Sequence, residues 1–133
     1  MIQSEMIWRL ALAVVAGGLV GLEREIVHRP AGIRTHMLVC FGSTLFALVT
    51  NEIIPTENGR IIAGVATGIG FLGAGTIFKS KNDVHGLTTA ASIWTVAAIG
   101  LGIGYGLLWL TFVSVVMVLI ILNLNRIDFF KNL

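Results

Sequence analysis

The stretch Gly86–Asn125, GLTTAASIWTVAAIGLGIGYGLLWLTFVSVVMVLIILNLN, contains no Asp, Glu, Lys or Arg in 40 residues. A helix needs roughly 20 predominantly apolar residues to cross the hydrocarbon core of a bilayer. The stretch is therefore long enough to cross twice, and the alternating glycines from Gly100 to Gly106 mark the best place for a tight turn between two helices. This pattern predicts an all-α fold embedded in a membrane.

The rest of the chain fits the same fold. The windows Thr35–Asn51 and Ile61–Phe78 also lack charged residues, and each suits one crossing. Met6–Leu22 is apolar apart from Arg9, and the charged residues on both sides of it do not fit a cleavable signal peptide. Of all residues 56% are hydrophobic and 12% are charged, against about 25% charged in an average soluble domain.

We therefore predict a single transmembrane domain with no soluble C-terminal domain. Its fold is an all-α bundle of five transmembrane helices, at Met6–Leu22, His36–Ile54, Arg60–Phe78, Leu87–Gly104 and Gly106–Leu124. The single cysteine, Cys40, lies inside a predicted span, so an internal disulfide is impossible.

The distribution of cations predicts the orientation of this bundle, because cytoplasmic segments carry an excess of Lys and Arg. With the N-terminus outside and the C-terminus cytoplasmic, the outer side holds only Arg9 and Arg60. The inner side holds seven cations, which are Arg24, Arg29, Arg34, Lys79, Lys81, Arg126 and Lys131. Three aromatic anchors fall near the predicted outer interface, where amphipathic rings prefer to lie: Trp8, Tyr105 and Trp109.

The segment Gly68–Gly75, GIGFLGAG, has the G-x-G-x-x-G spacing of a dinucleotide-binding turn. That fingerprint requires a strand before the glycines and a helix after them, whereas these glycines lie inside an apolar span. We interpret them as packing residues, since small side chains let membrane helices approach closely. The third helix has two small-residue faces, so we expect it to be central with neighbours on both sides. The predicted packing residues are Gly17, Gly21, Gly64, Gly68, Gly70, Gly73 and Gly75.

The fourth predicted span carries a stripe of hydroxyl groups from Thr88, Ser92 and Thr95. The stripe could line a polar path, or its hydroxyls could bond to carbonyl groups and neighbouring helices; we favour packing. In the first span, Arg9 lies about one turn from the end, and we expect it to reach outward and pair with Glu5.

The richest polar segment lies between the first two predicted spans, on the inner side. Two interpretations of it are open. Its arginines could simply anchor the chain in the positive-inside sense, with Glu–Arg pairs near the helix ends. Alternatively it forms a site, in which the carboxylates face an ion or the arginines bind phosphate groups. The candidate residues are Glu23, Arg24, Glu25, Arg29, Arg34 and His36.

A second inner loop contributes Lys79, Lys81, Asp83 and His85. Glu23, Glu25 and Asp83 are candidate Mg²⁺ ligands, because Mg²⁺ binds through one or two carboxylates and several waters. Nothing in the sequence shows that the two loops meet, and the histidines lack zinc-ligand spacing. No catalytic triad, pair of catalytic carboxylates or Walker loop is present, so we expect neither an enzyme nor a resident cofactor, with Mg²⁺ the one candidate ion.

Three segments together resemble the MgtC/SapB family of bacterial inner-membrane proteins. They are GLERE at 21–25 continuing to RPAGIRTH at 29–36, GIGFLGAG at 68–75, and GLTTAASIW at 86–94. Their order and intervals are similar to those of the family, and together they cover most of the chain. The resemblance favours an interacting polar cluster of Glu23, Arg24, Arg29, Arg34 and His36.

The resemblance also implies a multi-pass protein of the bacterial plasma membrane, linked to Mg²⁺ homeostasis and survival in low Mg²⁺. Some members of the family look like regulators of other membrane machinery, including the F-type ATP synthase, and longer members carry a soluble C-terminal domain. This chain looks like the short, membrane-only type.

Three functions follow as hypotheses. The first is a regulatory or accessory protein that acts through helix contacts with itself, as a homodimer, or with a membrane partner such as an ATP synthase or transporter. The alternative is a transporter or channel for Mg²⁺ or another ion, working as an oligomer. A third is binding of lipid or anionic headgroups by the arginine loop. The lipid bilayer is a partner in each hypothesis, and nucleic acid in none.

Overall fold

The computed structural model describes residues 2–127 and 131. Within that part of the chain the secondary structure is dominated by five α-helices. They are α1 (Gln3–Ile26), α2 (Ile33–Ile53), α3 (Asn58–Ala74), α4 (Leu87–Gly104) and α5 (Leu108–Leu122). Short 3-10 helices cover Pro55–Glu57 and Leu124–Arg126, and a two-stranded antiparallel hairpin pairs β1 (Phe78–Lys79) with β2 (Val84–His85).

Three of these helices are long and apolar enough to cross a membrane: α1, α2 and α4. The other two are apolar but shorter, with 17 residues in α3 and 15 in α5. The all-α fold is thus confirmed. The five crossings and their orientation remain predictions.

The bundle is built on α1, α2 and α4, which contact one another. Helix α1 runs antiparallel to α2, because Gly17 lies against His36 and Gly21 lies against Ile33. Helix α4 runs parallel to α2, since Gly100 meets Cys40 and Gly104 meets Ala47 further along both helices. The buried apolar side chains of these three helices form the core, with Val20, Ile93 and Val96 among those that are fully buried.

Glycines make this three-helix contact possible. A Cβ atom added at Gly17 would lie 2.5 Å from the His36 carbonyl oxygen, and one at Gly21 would lie 2.6 Å from the Ile33 Cα. The predicted packing role of these two residues fits this geometry. Gly100 and Gly104 do the same between α4 and α2, with the four-residue spacing typical of close helix contacts. The packing role of this pair was not predicted from the sequence, in which both glycines belong to the alternating run that marks the turn.

Helix α3 does not lie at the centre of the bundle, so the prediction that it has close neighbours on both sides is wrong for the single chain. It packs on α4 and α2, and only Gly73 is buried along its length. A Cβ atom added at Gly64, Gly68 or Gly70 would meet nothing within 4 Å. Gly73 faces Ala90 of α4, while the nearest neighbour of Gly75 is the Leu72 carbonyl of the preceding turn. One small-residue face of α3 is therefore open.

The predicted third span also ends too late. Helix α3 stops at Ala74, where the Thr76 hydroxyl donates to the Gly73 carbonyl at 2.7 Å. The chain then enters the hairpin, and the Phe78 ring stacks on His85 with 5.1 Å between centroids. Gly86 closes the hairpin with φ 88°, in the left-handed region that favours glycine. Ile77 and Phe78 are apolar and continue the pattern of α3, so the end of the helix could not be predicted from the sequence.

The turn between α4 and α5 is where the alternating glycines predicted it. Helix α4 ends at Gly104, and Gly106 takes a positive φ of 83° before α5 begins at Leu108. Arg9 of α1 is buried beside this turn, where it donates to the Gly104 carbonyl at 2.9 Å and to Glu5 at 2.8 Å. The expected pairing with Glu5 is present. The guanidinium extends toward the N-terminal end of α1, where it is buried and connects α1 to the end of α4.

Candidate functional site: a buried polar cluster beside an open pocket

The centre of the candidate site is an ion pair at the end of α1. Arg24 Nε lies 2.6 Å from a carboxylate oxygen of Glu23, and the two residues are 4% and 9% exposed. Burial of both partners makes the pair sensitive to the loss of either, since an unpaired charge in a protein interior is costly. The pair holds opposite charges close together, so it presents little net charge to its surroundings.

His36 is the second component of the site and is fully buried in the first turn of α2. Its Nδ1 lies 2.9 Å from the Gly32 carbonyl oxygen, and its Nε2 lies 2.9 Å from the Ser92 hydroxyl of α4. The charges of Arg24 and Glu23 act on the ring across the α1–α2 contact. His36 thus connects the end of α1, the start of α2 and the middle of the core helix α4.

The glycines of α1 explain how a histidine fits there. Gly17 and Gly21 lie against His36 and Ile33, and at Gly21 an added Cβ would lie 3.0 Å from the His36 Cβ. Larger residues would push α2 away from α1 and separate the imidazole from the Glu23–Arg24 pair. We call the four residues Glu23, Arg24, His36 and Ser92 the buried cluster.

The Glu25 carboxylate is not part of the buried cluster. It accepts the backbone N–H of Ile33 at 2.7 Å and so stabilises the N-terminus of α2, where a negative charge is favoured. The carboxylate passes close to the Cα of Gly32, where a Cβ atom would force the Glu25 side chain to shift. Glu25 is therefore a helix-capping residue, and its partners differ from those of Glu23.

Arg29 and Arg34 lie outside the buried cluster. Both are exposed and line an open pocket of about 570 Å³ together with Glu25, His28 and Thr35. We call this the loop pocket. The polar cluster predicted from the sequence is thus divided into two parts, with Glu23, Arg24 and His36 inside the bundle and Glu25, Arg29 and Arg34 at the pocket.

The hydroxyl stripe of α4 is also divided. Ser92 is buried in the cluster, where its hydroxyl also contacts the Thr89 carbonyl at 2.8 Å. The Thr95 hydroxyl donates to the Ala91 carbonyl of its own helix at 2.8 Å, and Thr88 is exposed. Thr89, which sequence analysis did not single out, is 2% exposed. The geometry of Ser92 and Thr95 fits the packing interpretation.

The second inner loop forms the β-hairpin. Lys79, Lys81, Asp83 and His85 are all exposed on it, and the Ser80 hydroxyl lies 3.2 Å from His85 Nε2. Within residues 2–127, no group of three His, Cys, Asp or Glu side chains is placed to hold a metal ion. Glu23 is buried against Arg24, the Glu25 carboxylate accepts the N–H of Ile33, and Asp83 is exposed on the hairpin. The three candidate Mg²⁺ ligands therefore have separate surroundings.

Helices of this length and apolarity, held together by glycine contacts and a buried polar cluster, define a small all-α membrane protein. The sequence model of the MgtC family matches residues 10–127. Because this match covers most of the chain, the chain belongs to the MgtC family, and the resemblance stated from its motifs is confirmed.

Comparison with individual relatives also supports membership of this family. The chain is 43% identical over 113 residues to "Putative magnesium transporter YhiD" of Escherichia coli K12, in an alignment covering 78% of this chain and 53% of YhiD. It is 44% identical over 115 residues to Protein MgtC of Brucella abortus strain 2308, covering 77% and 47% of the two chains. For Protein MgtC of Salmonella typhimurium LT2 the identity is 42% over 106 residues, covering 80% and 46%.

The chain spans about half the length of the curated relatives it matches. The similarity therefore concerns the membrane helices and the loops between them. No solved structure matches the chain at a significant level.

Proposed function

We propose that this protein is a regulatory or accessory protein of the bacterial inner membrane, linked to Mg²⁺ homeostasis or adaptation to low Mg²⁺. Membership of the MgtC family supports the link, as does the name of the YhiD relative, which refers to magnesium transport. Regulation is proposed to work through helix contacts with other membrane machinery, such as an ATP synthase or a transporter. The proposal involves no catalytic step, resident cofactor or nucleic acid.

The observation that favours regulation over transport is that polar groups in the core bond to other groups of the protein. The Ser92 hydroxyl contacts His36 and the Thr89 carbonyl, and the Thr95 hydroxyl bonds within its own helix. Transporters place polar or ionisable groups near the membrane midplane, where they meet the substrate. Here the Glu23–Arg24 pair lies at the end of α1, and the Ser92 and Thr95 hydroxyls bond within the protein.

A regulator needs a surface for its partner, and α3 supplies one. Gly64 and Gly68 face open space and line an apolar groove of about 520 Å³ between α2 and α3. Small residues at four-residue spacing let a second helix approach closely in a membrane. We assign this face to a second copy of the chain, in a homodimer.

A second candidate function is transport of Mg²⁺ or another ion by an oligomer. The name of the YhiD relative, "Putative magnesium transporter YhiD", favours transport. On this hypothesis several copies line the path together, with the exposed Thr88 and half-buried Thr95 of α4 facing it.

The two functions are separated by measuring Mg²⁺ flux into proteoliposomes that contain the purified full chain. Transport predicts flux that falls in the Thr88→Leu/Thr95→Leu double variant but not in Thr67→Leu, a matched change on the exposed side of α3. Regulation predicts no flux from protein whose helical content is intact, together with a membrane protein that copurifies after crosslinking in native membranes. Flux with the stated response to Thr88 and Thr95 would overturn the regulatory proposal.

A further inference from the structure

The loop pocket contains two arginines that have no carboxylate partner among the residues that the structure describes. Arg9 is bonded to Glu5, Arg24 to Glu23 and Arg60 to Glu57, at 2.6 to 3.1 Å. Arg29 and Arg34 have no carboxylate partner within the described residues, although both line the same pocket as Glu25. Two guanidinium groups therefore face one cavity with their donors available.

The carboxylate in the pocket does not neutralise them. Glu25 accepts the N–H of Ile33 at 2.7 Å, so its charge is directed to the N-terminus of α2. Arg29, Arg34 and Glu25 together give the pocket a net charge of +1. An anion entering the pocket would meet one carboxylate that is already bonded and two guanidinium groups that are not.

Backbone donors add to this arrangement. In the first turn of α2, a helix of 21 residues, the N–H groups of Arg34 and Thr35 have no acceptor among residues 2–127. Free N–H groups and the dipole at a helix N-terminus favour negative charge, and phosphate is the common ligand of such positions. The Thr35 side chain lines the same pocket and carries a further hydroxyl donor.

We propose that the loop pocket binds a phosphate group, contributed either by the headgroup of an anionic lipid or by a free phosphate ligand. Arg29 and Arg34 hold the phosphate oxygens through bidentate, charge-assisted hydrogen bonds, which suit the planar guanidinium fork. The amides of Arg34 and Thr35 donate to the same oxygens. This inference is independent of the proposed function, because a regulator and a transporter could both carry the site.

The structure favours this site over simple electrostatic anchoring of the chain. Anchoring requires only exposed cations, such as Lys79 and Lys81 on the hairpin. It does not explain why two unpaired arginines share a cavity of about 570 Å³ with free backbone donors. Anchoring and a phosphate site also differ in their response to variants, since anchoring depends on charge alone.

The test uses the full chain in nanodiscs of phosphatidylcholine and follows hydrogen exchange of the amides in residues 27–36. Two arms distinguish the sources of phosphate, one adding inorganic phosphate and the other using nanodiscs that also contain phosphatidylglycerol. Slower exchange of the Arg34 and Thr35 amides is expected in at least one arm. A response only to phosphatidylglycerol assigns a lipid headgroup, and a response only to inorganic phosphate assigns a soluble ligand.

Variants decide whether the effect belongs to the pocket. In Arg29→Gln/Arg34→Gln the apparent affinity should fall by about tenfold or more, because several charge-assisted bonds are lost. Lys79→Gln/Lys81→Gln removes the same charge from the hairpin and should bind as the unmodified chain does. Arg29→Lys/Arg34→Lys keeps the charge and should bind with intermediate affinity. Binding by this variant would also show that substitution at these two positions does not unfold the protein. Unchanged exchange in both arms, or equal losses in the two glutamine variants, would overturn the proposal.

Discussion

His36 Nε2 and Ser92 Oγ lie 2.9 Å apart in a buried contact that joins α2 to α4 across 56 residues of sequence. The other ring nitrogen faces the Gly32 carbonyl, and the Ser92 hydroxyl also faces the Thr89 carbonyl. With a neutral ring, His36 and Ser92 together supply two protons for these three contacts. The Ser92 proton is then shared between the imidazole and the Thr89 carbonyl, so the interhelical bond is moderate in strength.

A double-mutant cycle with His36→Leu and Ser92→Ala should therefore give a small but measurable coupling free energy. Interhelical hydrogen bonds in membrane proteins average about 0.6 kcal/mol and reach about 1.7 kcal/mol, and we expect a value in this range. The measurement is equilibrium unfolding in mixed micelles. The control cycle pairs His36→Leu with Thr95→Ala, since the Thr95 hydroxyl bonds within α4. Equal coupling in the two cycles would contradict a specific His36–Ser92 bond.

The Glu23–Arg24 pair leads to a second prediction. A variant in which both residues are changed should be more stable than a variant in which only one of them is changed. Glu23→Gln or Arg24→Met alone leaves a buried charge unpaired, which costs about 3–5 kcal/mol. Changing both residues removes the two charges together, so the loss of unfolding free energy should be smaller. Chemical unfolding of the three variants in micelles measures this order.

The exposed pair Glu57–Arg60 serves as the control for that series. Its side chains are 38% and 85% exposed, and surface ion pairs contribute about 0–1 kcal/mol. Glu57→Gln and Arg60→Met should therefore have little effect, singly or together. The prediction would be contradicted if the double Glu23/Arg24 variant were as unstable as the less stable single variant. The pair would then stabilise the fold by more than the mutual neutralisation of its two charges.

The sequence allowed good prediction of elements bounded by distinctive residues. Helix α4 was predicted at Leu87–Gly104 and observed there, because Gly86 and the glycine-rich turn limit it on both sides. The end of α3 could not be predicted in the same way. Ile77 and Phe78 continue the apolar run of the helix, and their departure into a hairpin depends on Phe78 stacking on His85, seven residues away.

The candidate site was predictable in composition but not in arrangement. The polar residues around the first loop stood out against apolar helices, yet nothing local distinguished Arg24, which is buried with Glu23, from Arg29, which is exposed. The partner of His36 lies on a distant helix, so only the tertiary packing reveals it. The glycines raise the same problem, since Gly17 and Gly68 differ in their neighbours and not in local sequence pattern.

That difference between glycines gives a third prediction. Gly17→Ala and Gly100→Ala should destabilise the bundle by about 1–3 kcal/mol, because the new methyl groups meet backbone atoms of α2 and force the helices apart. Gly59→Ala and Gly70→Ala place the same group in open space outside the groove between α2 and α3, and they should be neutral or slightly stabilising, since alanine favours the helix by about 1 kcal/mol over glycine. Melting temperatures of the four variants in one detergent provide the comparison, and similar values for all four would contradict the observed packing.

The last prediction concerns the open face of α3 and the proposed homodimer. In a dimer with two-fold symmetry, a residue near the axis lies close to its own copy in the partner. If the axis passes along the groove between α2 and α3, cysteines at Gly64 or Gly68 should form an intermolecular disulfide under mild oxidation, since that bond requires Cβ atoms about 3.5–4.5 Å apart. The native Cys40 is buried, so the unmodified chain should stay monomeric on a denaturing gel.

Phe112→Cys is the matched control for this crosslinking, because Phe112 is 60% exposed but lies on α5, away from the groove. The experiment is done in native membranes, where detergent cannot separate the subunits. Dimer from Gly64→Cys or Gly68→Cys, with none from Phe112→Cys, would support the second copy as the occupant of the groove. Monomer from both glycine variants would count against it, and α3 would then be free to receive a different membrane protein in the regulatory role.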